Sequence, residues 1–312
     1  MDRSKSALAT ECAHKATELV AKPEDVAKEI ALRREFFLPR LEGRIDERDL
    51  RDLTEMTTND PAAIGRCVDC GILVRADPIR TAVRFACDEY DERTLRTLHE
   101  LHVATFTAKS NIYDLLPAGS HVLEIGSYVG GFLEAARRWG WSSVGVDIGR
   151  DTAEYAAAKG FEVTTERFER CHFGLESFDG VFIWNCFEQM PNAAQVLERV
   201  REISKRGAPL VLYVPDAAVY AAAERAFTAG EPREPFSPIV QQLAYNNLLG
   251  FPHHFGYSEA LLTRTVESCG FTRQSMTNVP AIRPLRDRLT KDARDEEQRV
   301  EPAWIEAIFR RE

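Results

Sequence analysis

Between His121 and Ala136 the chain reads HVLEIGSYVGGFLEAA, with Gly126, Gly130 and Gly131 standing between an apolar run and a helical pattern. Glycines there let the backbone approach a ligand and adopt dihedrals that other residues avoid. In a parallel α/β sheet, ligands of nucleotide type bind at the carboxyl ends of the strands, against a helix N-terminus. Asp147, 21 residues after Gly126, closes the next apolar run, SSVGVDI. Its carboxylate can there accept both hydroxyls of a ribose. The expected ligand contains a nucleoside.

Two cofactor classes compete for this layout. A dinucleotide needs G-x-G-x-x-G, because its pyrophosphate nearly touches the backbone. The sequence from Gly126 is G-S-Y-V-G-G, with Tyr128 at the second glycine position, which weighs against NAD or FAD. S-adenosylmethionine has no pyrophosphate and carries a sulfonium cation and an amino-acid end. Glu124, two residues before Gly126, supplies a nearby negative charge for it.

Cys67 and Cys70, as C-V-D-C-G, have the spacing of half a zinc knuckle. A tetrahedral site needs two more ligands, which Cys12 with His14, or Cys87, would have to provide. With no second CxxC in the chain, no metal ligands are assigned, and the pair reads as a turn ending at Gly71. Cys171, Cys186 and Cys269 lie in or beside apolar elements and read as small core residues.

The elements that must position these residues follow from pattern. From His121, short apolar runs alternate with helical stretches, the mark of βαβ units and a mostly parallel sheet. HVLEI, SSVGVDI, FEVTT, SFDGVFIW and PLVLYVP read as strands. GFLEAARRWG, DTAEYAAAKG and NAAQVLERVREISKRG read as helices, the first two ended by Gly140 and Gly160. SEALLTRTVESCG is a late helix with Ser258 as its N-cap, and strand resumes at Phe271. Residues upstream of Pro117 are charged and largely helical in period around the cysteine element. The tail, with eight charges of each sign over 281–312, reads as a partly ordered helix that docks through Trp304 and Ile305.

Taken in order, VLEIGSYVGGFL, VGVDIG, SFDGVFIWNCFEQMP, GAPLVLYVP and SEALLTRTVESCGF resemble the class I S-adenosylmethionine-dependent methyltransferases, specifically the bacterial small-molecule type with a methyltransferase-23-like domain. The resemblance covers about residues 121–280. It implies a Rossmann-like seven-stranded sheet with helices on both faces, plus an N-terminal, mostly helical accessory region. It also implies that Glu124, Gly126, Tyr128 and Gly130 line the methionine part of the cofactor, with Ser127 counted among the binding residues. Asp147 would hold the ribose, Ile148 would cover one face of the adenine, and Asn185 would sit beside the sulfonium. Arg167 stands about where an acidic residue often receives the adenine amino group, and Phe168 next to it would supply backbone and stacking contacts.

Methyl transfer from a sulfonium is an in-line displacement, which asks the protein mostly to align the groups and exclude water. A base is needed only for a poorly acidic nucleophile. His253 and His254, in LAYNNLLGFPHHFGYS, are the candidates, because histidine titrates near neutral pH and this uncharged segment lies where the family builds its substrate lid. Tyr245, Asn246 and Asn247 would orient a polar substrate. Glu188 reads as a helix-start or surface carboxylate and only secondarily as a base.

Composition bounds the partners. With 40 basic and 49 acidic residues, the 312-residue chain carries a net charge of −9, spread without a basic stripe. The term that dominates nucleic-acid affinity is therefore missing, and anionic membranes should not attract the chain. Seven cysteines without regular spacing and a start without an apolar h-region point to a reduced, cytoplasmic setting. The expected organisation is an accessory region over 1–118, a methyltransferase domain over 119–280 with a substrate-lid insertion at 216–257, and a tail over 281–312. The expected partner is a small-molecule methyl acceptor, not a nucleic acid or a membrane, and a homodimer is left open. An NAD-dependent oxidoreductase on the same scaffold, and a non-catalytic scaffold protein of the same fold, remain alternatives.

Overall fold

The computed structural model describes residues 12, 14–15, 17–28, 31, 62–76, 90–220, 224, 253–279 and 304–312. Ahead of the main sheet, β1 (Thr17–Ala21), β2 (Ile64–Cys67) and β3 (Leu73–Arg75) form an antiparallel sheet, with residues 23–28 helical between β1 and β2. This small sheet is an addition to the helical accessory region expected from period alone. Its strands are only three to five residues long, too short for alternation to declare them.

Helix α1 (Glu92–Thr107) is capped by Asp91, whose carboxylate accepts the Thr94 N–H at 2.8 Å, and it buries Leu95, His99, Val103 and Phe106. A short α2 (Ser110–Tyr113) follows. Next come β4 (His121–Ile125), α3 (Gly131–Arg138), β5 (Ser142–Val146), α4 (Arg150–Ala158), β6 (Glu162–Thr164), β7 (Gly180–Trp184), α5 (Ala193–Ile203) and β8 (Pro209–Pro215). The chain then passes through β9 (Phe255–Gly256), α6 (Glu259–Glu267), β10 (Phe271–Val279) and β11 (Trp304–Arg311). Ser258 caps α6 as the sequence implies, its hydroxyl accepting the Leu261 N–H at 3.4 Å.

The main sheet has the order β10-β11-β8-β7-β4-β5-β6, parallel from β8 to β6, with β11 antiparallel to both of its neighbours. β4, β7 and β8 are almost wholly apolar because both faces are covered. Leu123, Ile125, Val181, Ile183, Leu210 and Leu212 face α5 and α6, while Val122, Phe182, Trp184, Val211 and Tyr213 face α1, α2 and α3. This is the period-two alternation of a strand read on two dry faces.

The tail corrects the helical expectation over 304–311. These residues are the strand between β8 and β10, in register from Trp304↔Pro215 to Arg310↔Pro209. The five apolar residues of this eight-residue segment do not distinguish helix from strand by period, and the ladder on both sides decides it. The one acidic residue inside the run, Glu306, is matched by Asn111 at 2.8 Å and by an ion pair with Lys109. The two ends of the expected lid also meet: the Ala217 N–H donates to the Tyr257 carbonyl at 2.9 Å, and β9 joins β3 of the small sheet. Among the described residues no helix is long and apolar enough to cross a membrane.

Candidate functional site

The strand order reverses at β4, which has β5 on one side and β7 on the other, so a crevice opens at the carboxyl ends of these strands. The glycine loop leaves β4 there. Gly126 has φ +82°, and a Cβ on it would lie 2.7 Å from Cys186 Sγ, so only glycine fits. Gly130, at φ +74°, caps α3 in the left-handed region. Between them Tyr128 adopts φ +46°, so the tyrosine occupies a glycine-like conformation instead of abolishing it.

Asp147 follows β5 and braces this loop. Its Oδ2 accepts the Tyr128 N–H at 2.6 Å and its Oδ1 accepts the Gly149 N–H at 2.8 Å. The Thr152 hydroxyl also donates to Oδ1, at 3.4 Å. Ile148, next in the chain, is 55% exposed, an apolar side chain without a protein cover at the mouth of the crevice. Phe168 begins the 3-10 turn after β6 and its ring is buried in the same core as Ile125 and Val146. What Phe168 can offer the crevice is therefore backbone, and the expected stacking face is taken up by the core. Arg167 pairs loosely with Glu169, at 3.9 Å.

Glu124, in β4, is buried, and burial first, then the charge of Asp147, pushes its carboxyl well above the usual carboxylate range. Glu124 Oε2, Ser127 Oγ and Asn185 Oδ1 are buried without a hydrogen-bond partner. Asn185 also holds φ +52° just past β7. Buried polar atoms are normally satisfied, and strained backbone persists where something over-determines it. Three such atoms, on the loop after β4, in β4 and after β7, fit a polar, cationic ligand in this crevice and give no reason for an apolar one.

The histidine pair lies near this crevice, brought there by β9. His253 and His254 are both buried, and His253 Nδ1 lies 2.7 Å from Glu188 Oε1. Glu188 stands in the first turn of the 3-10 helix Phe187–Gln189 after β7, a helix start as read, but it is fully buried, which corrects its reading as a surface carboxylate. A carboxylate at Nδ1 sets the imidazole tautomer and leaves Nε2 to accept a proton, the arrangement of an oriented general base. Glu188 and His253 are 65 residues apart, a separation across which no periodicity signals a pair. Tyr245, Asn246, Asn247 and Cys87 lie outside the described residues.

One contact has a faint sequence signal that pattern reading passes over. His99 stands in the buried row of α1 with Leu95, Val103 and Phe106, and its Nδ1–H donates to the Val129 carbonyl at 2.8 Å. A histidine in an apolar row has its polar atoms to place, and here it pins α1 to the glycine loop. Burial holds its imidazole below the usual histidine range, in keeping with a neutral donor.

A parallel sheet of this order, ended by an antiparallel pair and carrying a glycine loop and a buried acid at its switch point, defines a class I S-adenosylmethionine-dependent methyltransferase fold. Residues 91–273 match the methyltransferase-23 family, described as a methyltransferase domain, and the chain belongs to that family, whose cofactor is S-adenosylmethionine. The match takes in α1, upstream of the boundary expected at 118. Among solved structures, the chain is similar to a putative methyltransferase of Haloferax volcanii held with the Trm112 methyltransferase activator. That likeness has 14% identity and a TM-score of 0.53 over 74% of this chain and 99% of that one. It is also similar to an S-adenosylmethionine-dependent methyltransferase of Mesorhizobium loti, at 15% identity and TM-score 0.48 over 66% and 98% of the two chains. At such identities the likeness is one of fold. No curated protein matches the sequence.

Proposed function

We propose that the chain catalyses methyl transfer to oxygen, nitrogen or carbon of a small-molecule acceptor in a reduced, cytoplasmic setting. The observation that carries this reading is the set of unpartnered buried polar atoms, Glu124 Oε2, Ser127 Oγ and Asn185 Oδ1, gathered at the switch-point crevice. When bound, S-adenosylmethionine supplies a methyl group activated by its sulfonium. Glu124 and Asn185 face that cationic end, Ser127 and the Gly126, Tyr128 and Gly130 backbone hold the amino-acid end, Asp147 takes the ribose, and Ile148 with the Phe168 backbone flanks the adenine. His253, oriented by Glu188, removes the acceptor's proton where the acceptor is weakly acidic, and His254 beside it lines the same wall. The lack of a basic stripe at net charge −9 supports a small acceptor over a nucleic acid.

Calorimetric titration with S-adenosylhomocysteine is expected to show one site per chain, and no heat with folded protein would sink the reading. With methyl-labelled cofactor and a cell extract, label is expected in the small-molecule fraction; label confined to the macromolecules would overturn the acceptor class.

The raised carboxyl of Glu124 predicts a pH dependence of cofactor binding. In the free protein the proton is held to a pH well above the ordinary carboxylate range, and a cation beside it binds the ionised form. S-adenosylmethionine affinity is therefore expected to rise with pH, by up to about tenfold per unit, until Glu124 is ionised in the free protein as well. A flat affinity between pH 5 and 9, as measured by titration calorimetry, would contradict it.

A further inference from the structure

Far in sequence from the cofactor crevice, the structure gathers a second set of side chains suited to chemistry. The register Thr17↔Cys67 of the β1–β2 pair lays the segment before β1 alongside the turn that follows β2. Cys12 and His14 from the first segment thereby meet Cys67 and Cys70 from the second, with one potential ligand atom from each lying within 4.8 Å of all the others. Cys12 Sγ and Cys67 Sγ are 3.4 Å apart, and Cys70 Sγ is 3.5 Å from His14 Nδ1. A disulfide would need about 2.05 Å. Bonds of about 2.3 Å to sulfur and about 2.0 Å to nitrogen from a central tetrahedral ion imply edges of roughly 3.8 Å between sulfurs and roughly 3.5 Å between sulfur and nitrogen. The two observed separations lie at or slightly inside those edges.

The local backbone is built for the same purpose. The turn closes with the Gly71 N–H on the Cys67 carbonyl at 2.9 Å, and Gly71 takes φ +84°. The N–H groups of Asp69 and Cys70 point at Cys67 Sγ, and that of Ile72 points at Cys70 Sγ. Such bonds orient and stabilise metal thiolates. His14 is held at φ +52°, and its ring packs on Phe255 of β9 with centroids 5.7 Å apart. Cys67 and Cys70 are buried and pack in the same core as the main sheet.

We propose that Cys12, His14, Cys67 and Cys70 bind one zinc ion as a closed structural site that clamps the N-terminal segment onto the small sheet. Three thiolates and an imidazole select a thiophilic ion of tetrahedral preference over magnesium or calcium, which require oxygen ligands. Four protein ligands leave no open position, so the ion is structural and performs no catalysis. Its position has a consequence for the methyltransferase domain. Cys12 and His14 line a cavity of about 200 Å³ whose other walls include Met190, Asn192, Phe255 and Tyr257. The clamp thus closes a wall between β9, which follows His253 and His254, and the segment just after the turn that carries Glu188.

The test is the metal content of the full-length protein purified without chelator. The expected result is about one zinc per chain, falling below about a fifth in Cys70→Ser and in His14→Ala, and unchanged in Cys269→Ser. Because a ligand variant can fail to fold, the wild type is also stripped with chelator and titrated anaerobically with Co²⁺ alone. Intense ligand-field bands of tetrahedral cobalt and thiolate-to-cobalt charge transfer are expected, both abolished by adding zinc, with the charge transfer cut by about a third in Cys12→Ser. Folded wild type that carries less than about a tenth of a zinc and gives no cobalt bands would overturn the proposal. So would a Cys12–Cys67 disulfide in protein kept reduced throughout purification.

Discussion

His253→Ala is expected to slow methyl transfer to a weakly acidic acceptor by about 10²- to 10⁴-fold, the range that a positioned general base contributes. The loss should fall on kcat and leave the affinity for S-adenosylhomocysteine within about threefold, because His253 is assigned to the acceptor's proton and not to the cofactor. Two further readouts separate a base from a merely structural histidine. The acid limb of the wild-type pH–rate profile, where the base becomes protonated, should disappear in the variant. The defect should also shrink as the acceptor becomes more acidic, since an acceptor already ionised has no proton to give up. In the proposed function Glu188, 2.7 Å from His253, acts through it as a positioning residue. Glu188→Gln keeps the volume but removes the carboxylate that orients the imidazole, so it should lower kcat by about 10- to 100-fold. A uniform loss that is independent of pH and acceptor acidity, accompanied by a lower melting temperature, would reduce the pair to a structural one.

The second large effect is expected at Glu124, and it runs in opposite directions for binding and stability. Glu124→Gln should weaken S-adenosylmethionine by about 10- to 100-fold, in line with about 1.5–3 kcal/mol for a hydrogen bond to a charged group. It should also flatten the pH dependence of binding. The same variant should be more stable without cofactor. The folded carboxyl titrates above its unfolded value, so the folded state holds the proton more tightly and stability falls as the pH rises from the ordinary carboxylate range toward the raised one. The amide has no charge to desolvate and escapes that loss at neutral pH. Thermal unfolding with and without cofactor is the measurement: a higher melting temperature for the free variant, together with a smaller cofactor-induced rise, is expected. A variant destabilised in the free state with unaltered affinity would show that Glu124 is a core residue with no ligand role.

Local signals account for most of what could be read along the chain. The turn at Gly126 and Gly130 was legible because a backbone that takes positive φ restricts residue type within a short window. The helix at Ser258 was legible because a cap and an apolar face lie within one segment. Trp304–Arg311 was misread as a helix because its apolar residues fit either period; only pairing with β8 and β10 settles the matter. The burial of Glu188 against His253, the pinning of Val129 by His99, and the meeting of Cys12 and His14 with Cys67 and Cys70 all join residues remote in sequence. No periodicity or local propensity registers such pairs.

By itself, then, the sequence determined the mostly parallel α/β class, the place of the glycine loop after β4, and S-adenosylmethionine in preference to a dinucleotide, because each follows from short-range geometry and residue chemistry. Only the tertiary structure decided which buried polar atoms remain unpartnered, which carboxylate orients a histidine, and which four ligands converge on one point. Those outcomes depend on strand order and register, through which a residue's neighbours come from distant parts of the chain.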